Sequence, residues 1–203
     1  MFRLAREAGL HASINTNGYL TEEAAARLAR AGMEAMNVDI KGGRRTYRQW
    51  LGAFLERLIS TARAAMSLGV HLEFTYLVIP GVNDDEADEV IDTVASFGRS
   101  VPLHIAAYFP AHKLTNPPTP PELVEEIWRR ARKELDYVYV GNIPGHPGQH
   151  TYCPNCGHAV IKRAGDRVIK IDLRESNKCP KCGHQIAIRG KPGRYGNLYR
   201  SFI

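Results

Sequence analysis

Four cysteines, grouped as two CPxCG units, constrain this sequence more than any other feature. Cys153 and Cys156 form the first unit, Cys179 and Cys182 form the second, and all four fall within the last 51 of 203 residues. The two-residue gap lets both sulfurs of a unit reach one ion, and the glycine that follows allows the chain to turn tightly. Each unit is called a knuckle below. Four thiolates predict a structural zinc site, with iron in a rubredoxin-like site as the alternative.

The segment between the two knuckles predicts a β-hairpin around Ala164-Gly165-Asp166, and two knuckles joined by a hairpin form a zinc ribbon. His158 and His184 directly follow the knuckle glycines and are weaker candidate ligands, because four cysteines already complete a tetrahedral set. A filled coordination shell leaves no position for a substrate or an activated water. We therefore expect the metal to stabilise or bind, and not to catalyse.

The charge composition of the chain changes at about the same place as its cysteine content. Residues 1–149 carry 16 Lys and Arg against 18 Asp and Glu, whereas residues 150–203 carry 11 against 3. A basic ribbon is typical of nucleic-acid binding, although a solvated charged face on a small domain explains the same composition. The ribbon and basic tail therefore predict two alternatives, a binding module or a stabilising appendage.

The chain shows no secretion or membrane signal. No run approaches about 18 apolar residues, and the N-terminal residues alternate charged with apolar side chains. The first 152 residues contain no cysteine, which is atypical of a disulfide framework. These features predict a cytoplasmic protein that does not enter the membrane.

Apolar runs rich in β-forming residues alternate with amphipathic helical patterns, as in consecutive βα units. The predicted strands are 11–17, 36–41, 70–80, 102–110 and 137–142, and the predicted helices are 21–31, 53–68, 83–97 and 122–134. Thr21 and Asn83 stand where helix N-caps are expected. Because the strand patterns are mostly continuous, we predict an α/β fold with parallel strands covered by helices on at least one face.

Polar residues follow several predicted strands, and ligands of parallel α/β folds bind at the carboxyl ends of the strands. The candidates are Asn15, Thr16 and Asn17 after the first strand, Asp39 and Lys41 after the second, and His104 within the fourth. Each has a simpler explanation: an Asx turn, an ion pair and a hydrogen-bonded core histidine, respectively. An enzyme that uses Asp39 and Lys41 without a metal is a further alternative.

The order of several motifs resembles a known family. They are TNG (16–18), NVDIK (37–41), TYRQWLGA (46–53), LVIPGVND (77–84), PLHIAAYFP (102–110), PPTP (117–120), YVYVGN (137–142) and TYCPNCG (151–157). This order is similar to the later part of radical S-adenosylmethionine enzymes of the pyruvate formate-lyase-activating type. The ending from YVYVGN into a zinc ribbon resembles the AmmeMemoRadiSam-system subgroup.

The resemblance implies an incomplete (β/α) barrel over residues 1–145, followed by a four-cysteine zinc ribbon and basic tail over 146–203. In that family a [4Fe-4S] cluster cleaves S-adenosylmethionine to a 5′-deoxyadenosyl radical. The resemblance implies that Asn15, Thr16, Asp39 and Lys41 contact the methionine moiety or an adjacent cation. It places Val78 to Gly81 beside the adenosine and leaves His104 as a further cofactor-binding candidate, because Phe109 replaces the histidine that relatives often carry there.

The sequence departs from the family in having no CxxxCxxC motif and no GGEP-like motif. We therefore expect the chain to be inactive alone, as the C-terminal portion of such an enzyme, through truncation, a misplaced start or a split gene. Each of these origins predicts an open edge at the first strand and hence self-association or pairing with a separate N-terminal half. The family also implies functional association with Memo-like and AMMECR-type proteins.

Overall fold

The computed structural model describes residues 1–165 and 167–189. The helices are α1 (Phe2–Glu7), α2 (Glu22–Arg30), α3 (Arg44–Gln49), α4 (Leu55–Ser67), α5 (Ala87–Ala95) and α6 (Pro121–Glu134). The strands are β1 (Ser13–Thr16), β2 (Ala35–Asp39), β3 (His71–Val78), β4 (Leu103–Ala107), β5 (Val138–Gly141), β6 (Thr151–Tyr152), β7 (Ala159–Ala164) and β8 (Arg167–Ile171). Asp166 of the predicted hairpin turn and the basic tail 190–203 lie outside the described residues.

Five parallel strands form the main sheet in the order β1-β2-β3-β4-β5. Each strand pairs with the next one in sequence, whereas a doubly wound sheet reverses direction at a switch point. The predicted α/β class with parallel strands is confirmed. All five strands lie within the intervals that the sequence predicts, apart from one extra residue, Ala35, at the start of β2.

A local sequence signal explains where α2 begins, but not where α5 begins. The Thr21 hydroxyl accepts a hydrogen bond from the Ala24 amide at 3.1 Å, so Thr21 caps α2 as predicted. The prediction that Asn83 caps a helix over 83–97 is wrong. A 3₁₀ turn at 84–86 precedes α5, and the Asn83 side chain instead bonds to backbone groups at the ends of β2 and β3.

Alternation along the strands separates the two faces of the sheet. On β3, Leu72, Phe74, Tyr76 and Val78 are buried in one hydrophobic core with residues of α2, α4, α5 and α6. The intervening residues point to the opposite face, since side chains alternate along a strand. That second face carries Asn15, Asn37, Asp39, Glu73, Thr75, His104 and Tyr139, and is called the polar face below.

The C-terminal segment forms a separate antiparallel sheet in the order β6-β7-β8, with the two knuckles beside it. It packs against β5 through a second hydrophobic cluster that joins Tyr137 and Tyr139 to residues of the ribbon. The Arg189 guanidinium donates to the Gly69 carbonyl, just before β3, at 2.7 Å. The division of the chain at residue 145 stays a prediction.

Within residues 1–165 and 167–189, no helix combines the length and the apolar character that crossing a membrane requires.

Candidate functional site

The four cysteine sulfurs come together at one point. All four lie within 4.8 Å of one another, with 3.6 Å between the sulfurs of Cys153 and Cys182 and the same distance between those of Cys156 and Cys179. Four thiolates at about 2.3 Å from a tetrahedral zinc ion have edges of about 3.8 Å. The donor set therefore fits a single metal ion.

The two knuckles share one backbone geometry. In the first, the Cys153 amide donates to the His158 carbonyl at 2.8 Å and the Gly157 amide to the Cys153 carbonyl at 2.8 Å. The second repeats both bonds at 2.9 Å, from Cys179 and Gly183. Gly157 and Gly183 have φ angles of 69° and 74°, which a residue with a β-carbon adopts at a cost. The glycines are thus required by the turn.

Hydrogen bonds already favour thiolate at the more exposed end of the site. The Asn155 side chain and the His184 backbone amide hydrogen-bond the Cys182 sulfur and lower its pKa to about 6. The His158 ring, in contrast, is held by Asp172, with 2.7 Å between Nε2 and Oδ2. Neither His158 nor His184 belongs to the group of side chains that could hold a metal among the described residues.

The predicted residues at the end of β2 form an ion pair. Lys41 Nζ lies 3.0 Å from Asp39 Oδ2, and both side chains are 40% exposed. They remain open to solvent at the carboxyl edge of the sheet, where a zwitterionic ligand could exchange partners with both charges. The ion pair is the simpler explanation that the spacing suggested, and it also leaves one acid and one base side by side.

Asn15, Thr16 and Asn17 lie at the end of β1, and two of them stabilise the turn that follows. Thr16 accepts a hydrogen bond from the Gly18 amide at 3.1 Å, and Asn17 accepts one from the Tyr19 amide at 3.0 Å. Asn15 points to the polar face, where the strand register pairs it with Asn37. The turn thus accounts for Thr16 and Asn17, while Asn15 contributes to the row of polar side chains.

Asn83 links the loops after β2 and β3, a role that sequence reasoning missed. Its side chain is buried, donates to the carbonyls of Lys41 at 2.7 Å and Leu77 at 2.9 Å, and accepts from the Ile79 amide at 2.7 Å. All of the amide's bonds go to backbone groups. Asn83 therefore fixes the main chain that carries Lys41.

A second link joins α3 to the start of α5. The buried Glu86 carboxylate accepts from the backbone amides of Arg45 and Thr46 and from the Thr46 hydroxyl. Arg45 in turn pairs with Asp85 through both terminal nitrogens at 2.5 Å. A carboxylate at a helix N-terminus satisfies amides that have no partner within the helix. The loops that frame the carboxyl edge are therefore held as one unit.

The polar face holds a buried carboxylate that the sequence analysis overlooked. Glu73 lies between two histidines, with Oε1 3.1 Å from His71 Nε2 and Oε2 2.8 Å from His104 Nε2. Burial alone raises the pKa of Glu73, but the hydrogen bonds and charges of His104 and His71 outweigh it and lower the pKa to about 2. Glu73 is therefore ionised at neutral pH. The sequence signal that could have revealed this site is a charged residue, Glu73, inside the apolar run VHLEFTYLV.

Residues 1–94 match the sequence model of the Radical SAM superfamily. An uncharacterized protein of Methanocaldococcus jannaschii is 41% identical over 177 residues, which cover 84% of this chain and 52% of that protein. A probable GTP 3′,8-cyclase of Archaeoglobus fulgidus is 30% identical over 90 residues, 43% of this chain and 30% of that protein.

Among solved structures, a domain of pyruvate-formate lyase-activating enzyme from Bacteroides vulgatus aligns with a TM-score of 0.58 at 14% identity, covering 70% of this chain and 87% of that domain. At that identity the likeness shows the fold alone. The chain spans about half the length of the Methanocaldococcus relative. The first 94 residues are thus similar in sequence to the Radical SAM superfamily, and the fold is similar to that of an activating-enzyme domain.

Proposed function

We propose that this chain forms the later strands of a radical S-adenosylmethionine enzyme of the pyruvate formate-lyase-activating type, in the AmmeMemoRadiSam-system subgroup. The observation that carries the proposal is the polar face, on which β1 to β4 bring Asn15, Asp39 and His104 to the side of the sheet turned away from the helices. Sequential parallel strands with helices on one side are the pattern of an incomplete (β/α) barrel, whose interior that face would line.

The residues at the carboxyl edge suit the amino-acid part of S-adenosylmethionine. Asp39 offers a carboxylate for its ammonium group, and Lys41 offers an ammonium for its carboxylate. Asn15, Thr16 and Asn17 lie beside them, and Val78 to Gly81 would flank the adenosine. When bound, S-adenosylmethionine supplies the 5′-deoxyadenosyl group for radical chemistry, and this chain's residues orient it.

An iron-sulfur cluster does not fit the residues of this chain. Residues 1–152 contain no cysteine, and the remaining four already converge within 4.8 Å. A [4Fe-4S] cluster of this family needs three thiolates of its own. We place those thiolates in a polypeptide segment outside this sequence, either upstream or on a separate chain.

The test is reconstitution. The chain is combined with a polypeptide that carries CxxxCxxC and is encoded either upstream or by a separate gene. The mixture is loaded with iron and sulfide and then reduced in the presence of S-adenosylmethionine. We expect 5′-deoxyadenosine from the combination and none from the chain alone, and Asp39→Asn should lower the rate more than tenfold because an anionic contact is lost. Turnover by the iron-free chain, or no cleavage by a loaded combination, contradicts the proposal.

For the ribbon we propose a structural zinc ion held by Cys153, Cys156, Cys179 and Cys182. The spacing of the sulfurs supports zinc, and iron in a rubredoxin-like site is the alternative because four thiolates accept either ion. Elemental analysis of the purified chain should give one zinc per chain and no iron. Iron with the visible absorption of a ferric thiolate site would favour the alternative.

A second candidate function is binding of nucleic acid by the ribbon, and one observation favours it. Lys162 and Lys170 are direct cross-strand partners on β7 and β8, so their two positive charges repel each other. Among the residues that the structure describes, neither lysine forms an ion pair. Salt-dependent retention of RNA or DNA that disappears with Lys162→Glu supports this function, and retention that the substitution leaves unchanged contradicts it.

The edge of the main sheet suggests how the chain meets other polypeptides. β1 pairs only with β2 among the described strands, so its outer edge offers unpaired backbone groups to another strand. We propose that a separate N-terminal half or a second copy pairs there, with Memo-like and AMMECR-type proteins as further functional partners. Elution of the chain as a monomer from a size-exclusion column, with or without the separate N-terminal half, would contradict the pairing.

A further inference from the structure

Two histidines of this chain are held by a carboxylate in closely similar ways but differ at their second ring nitrogen. His146 Nε2 lies 2.7 Å from Glu125 Oε2, and His146 Nδ1 accepts the Gly148 backbone amide at 2.9 Å. His104 Nε2 lies 2.8 Å from Glu73 Oε2. Within residues 1–165 and 167–189, no group hydrogen-bonds His104 Nδ1. Both ring nitrogens of His146 thus have a partner within the protein, whereas Nδ1 of His104 has none among these residues.

The partner of His104 fixes which nitrogen carries the proton. An ionised carboxylate only accepts hydrogen bonds, so the Nε2 atoms of His104 and His71 must both donate to Glu73. In a neutral imidazole the other nitrogen then carries a lone pair. Glu73 therefore holds His104 in the tautomer whose Nδ1 accepts a proton or a hydrogen bond.

Packing also fixes the ring plane of His104. The ring stacks on Tyr139 with 5.0 Å between centroids and 24° between planes. Tyr139 is itself held by Thr151, with 3.0 Å between the two hydroxyl oxygens, and the Arg163 guanidinium lies 5.5 Å from the ring. The ribbon thereby supports one side of the imidazole. The His104 side chain nevertheless remains 30% exposed, so a ligand can reach it.

The strand register places His104 beside the proposed cofactor residues. Asp39 pairs with Thr75, Thr75 pairs with His104, and His104 pairs with Tyr139, so these four residues form one row across the sheet. Neighbouring strands are about 4.8 Å apart, which puts His104 about 10 Å from Asp39 along the polar face. That distance leaves room for a second small molecule next to the proposed cofactor.

We propose that His104 is a catalytic residue whose Nδ1 accepts a proton or hydrogen bond from a hydroxyl or ammonium group of the substrate, with Glu73 as the positioning residue. The proton moves from the substrate oxygen or nitrogen to Nδ1, and the imidazolium that forms is stabilised by the Glu73 carboxylate. The tautomer and exposure of His104 are properties of this chain alone. The identity of the ligand as the substrate of radical chemistry rests on the proposed function.

Diethyl pyrocarbonate tests the free nitrogen, because it acylates neutral imidazole at an accessible lone pair. Peptide mass spectrometry of the intact chain would follow modification of His104, with exposed His11 as the fast reference and His146 as the matched control. We expect His104 to react about tenfold faster than His146, and Glu73→Gln to slow His104 about threefold because the carboxylate no longer supports positive charge on the ring. Equal rates for His104 and His146 would overturn the inference.

Imidazole ¹⁵N NMR of the unsubstituted chain gives a second measurement that no folding defect can obscure. We expect neutral His104 to show a protonated Nε2 and an unprotonated Nδ1, and a protonated Nδ1 in the neutral ring would overturn the inference. The two proposals fail separately. A reactive His104 in an enzyme that cleaves no S-adenosylmethionine defeats the proposed function, whereas cleavage with an unreactive His104 defeats this inference.

Discussion

The four-cysteine site and the polar face are assembled in opposite ways. Each half of the metal site comes from one short segment, in which Cys, the two-residue gap and Gly specify the local turn. The polar face takes one or two residues from each of five strands, and Glu73 and His104 are 31 positions apart. The contrast shows that each knuckle depends on local sequence, whereas the polar face depends on strand register.

The largest expected effect comes from removing one cysteine of the four-cysteine site, and it should reach the ribbon but not the main sheet. Cys179→Ser removes one thiolate from the metal site, and structural zinc contributes about 10 kcal/mol or more to folding in small zinc domains. We expect metal content to fall from one ion per chain to near zero and β6 to β8 to lose amide protection, while the core between the main sheet and its helices stays protected. Elemental analysis and hydrogen exchange measure both.

His158→Asn is the control for that substitution, because the His158 ring pairs with Asp172 and lies outside the metal-binding group. It should retain the metal. If Cys179→Ser instead exposes the amides of β1 to β4 together with those of the ribbon, the two regions fold as one cooperative unit, which contradicts their separate assembly.

The next largest effect should come from the buried Asn83 side chain, which stabilises the carboxyl edge of the main sheet. Asn83→Ala leaves two carbonyls and one amide without their partner, and each buried polar group left unpaired costs about 1–3 kcal/mol. We expect a loss of about 3 kcal/mol in the free energy of unfolding, measured with urea. Asn116→Ala is the matched control, because Asn116 donates a single bond, to the Pro80 carbonyl. Equal losses would show that Asn83 does not link the two loops.

The Glu73 carboxylate should give the polar face a distinct acid response. Its folded pKa of about 2 lies below the unfolded value of about 4.3, so its stabilisation is present above pH 4.3 and is lost as pH falls toward 2. The full contribution is about 3 kcal/mol. Urea unfolding between pH 6 and 3 should therefore fall less steeply in Glu73→Gln than in the parent chain, and parallel curves would contradict the assignment.

The smallest expected effect lies in the ribbon hairpin. Lys162→Glu converts a repulsive cross-strand pair with Lys170 into an attractive one, which should raise the free energy of unfolding of the ribbon by about 0.5 kcal/mol. The double variant Lys162→Glu/Lys170→Glu restores like charges and should lose that gain. Additive effects in this double-mutant cycle would show that the two side chains do not interact.

The class of fold could be predicted from the sequence because its signals are local and repeated. Runs rich in β-forming residues predicted the five strands, although apolar and polar residues alternate along them, and Thr21 predicted the start of α2. The Asn83 cap failed because a polar residue before a helix satisfies whichever backbone groups the fold presents. At Asn83 those groups are the ends of β2 and β3, which are 42 and 6 positions away and which no local pattern reveals.

By itself the sequence determined each half of the four-cysteine site and the alternation of strands and helices, since both depend on contacts between residues a few positions apart. Only the tertiary structure decided which polar side chains meet. Glu73 is a charged residue in an apolar strand until the parallel register sets it beside His104. The sequence favours a core role for His104, whereas the structure leaves its Nδ1 without a hydrogen-bond partner among the described residues. Register is decided by how whole strands pack against the helices, so the chemistry of the polar face follows from the fold and not from any motif.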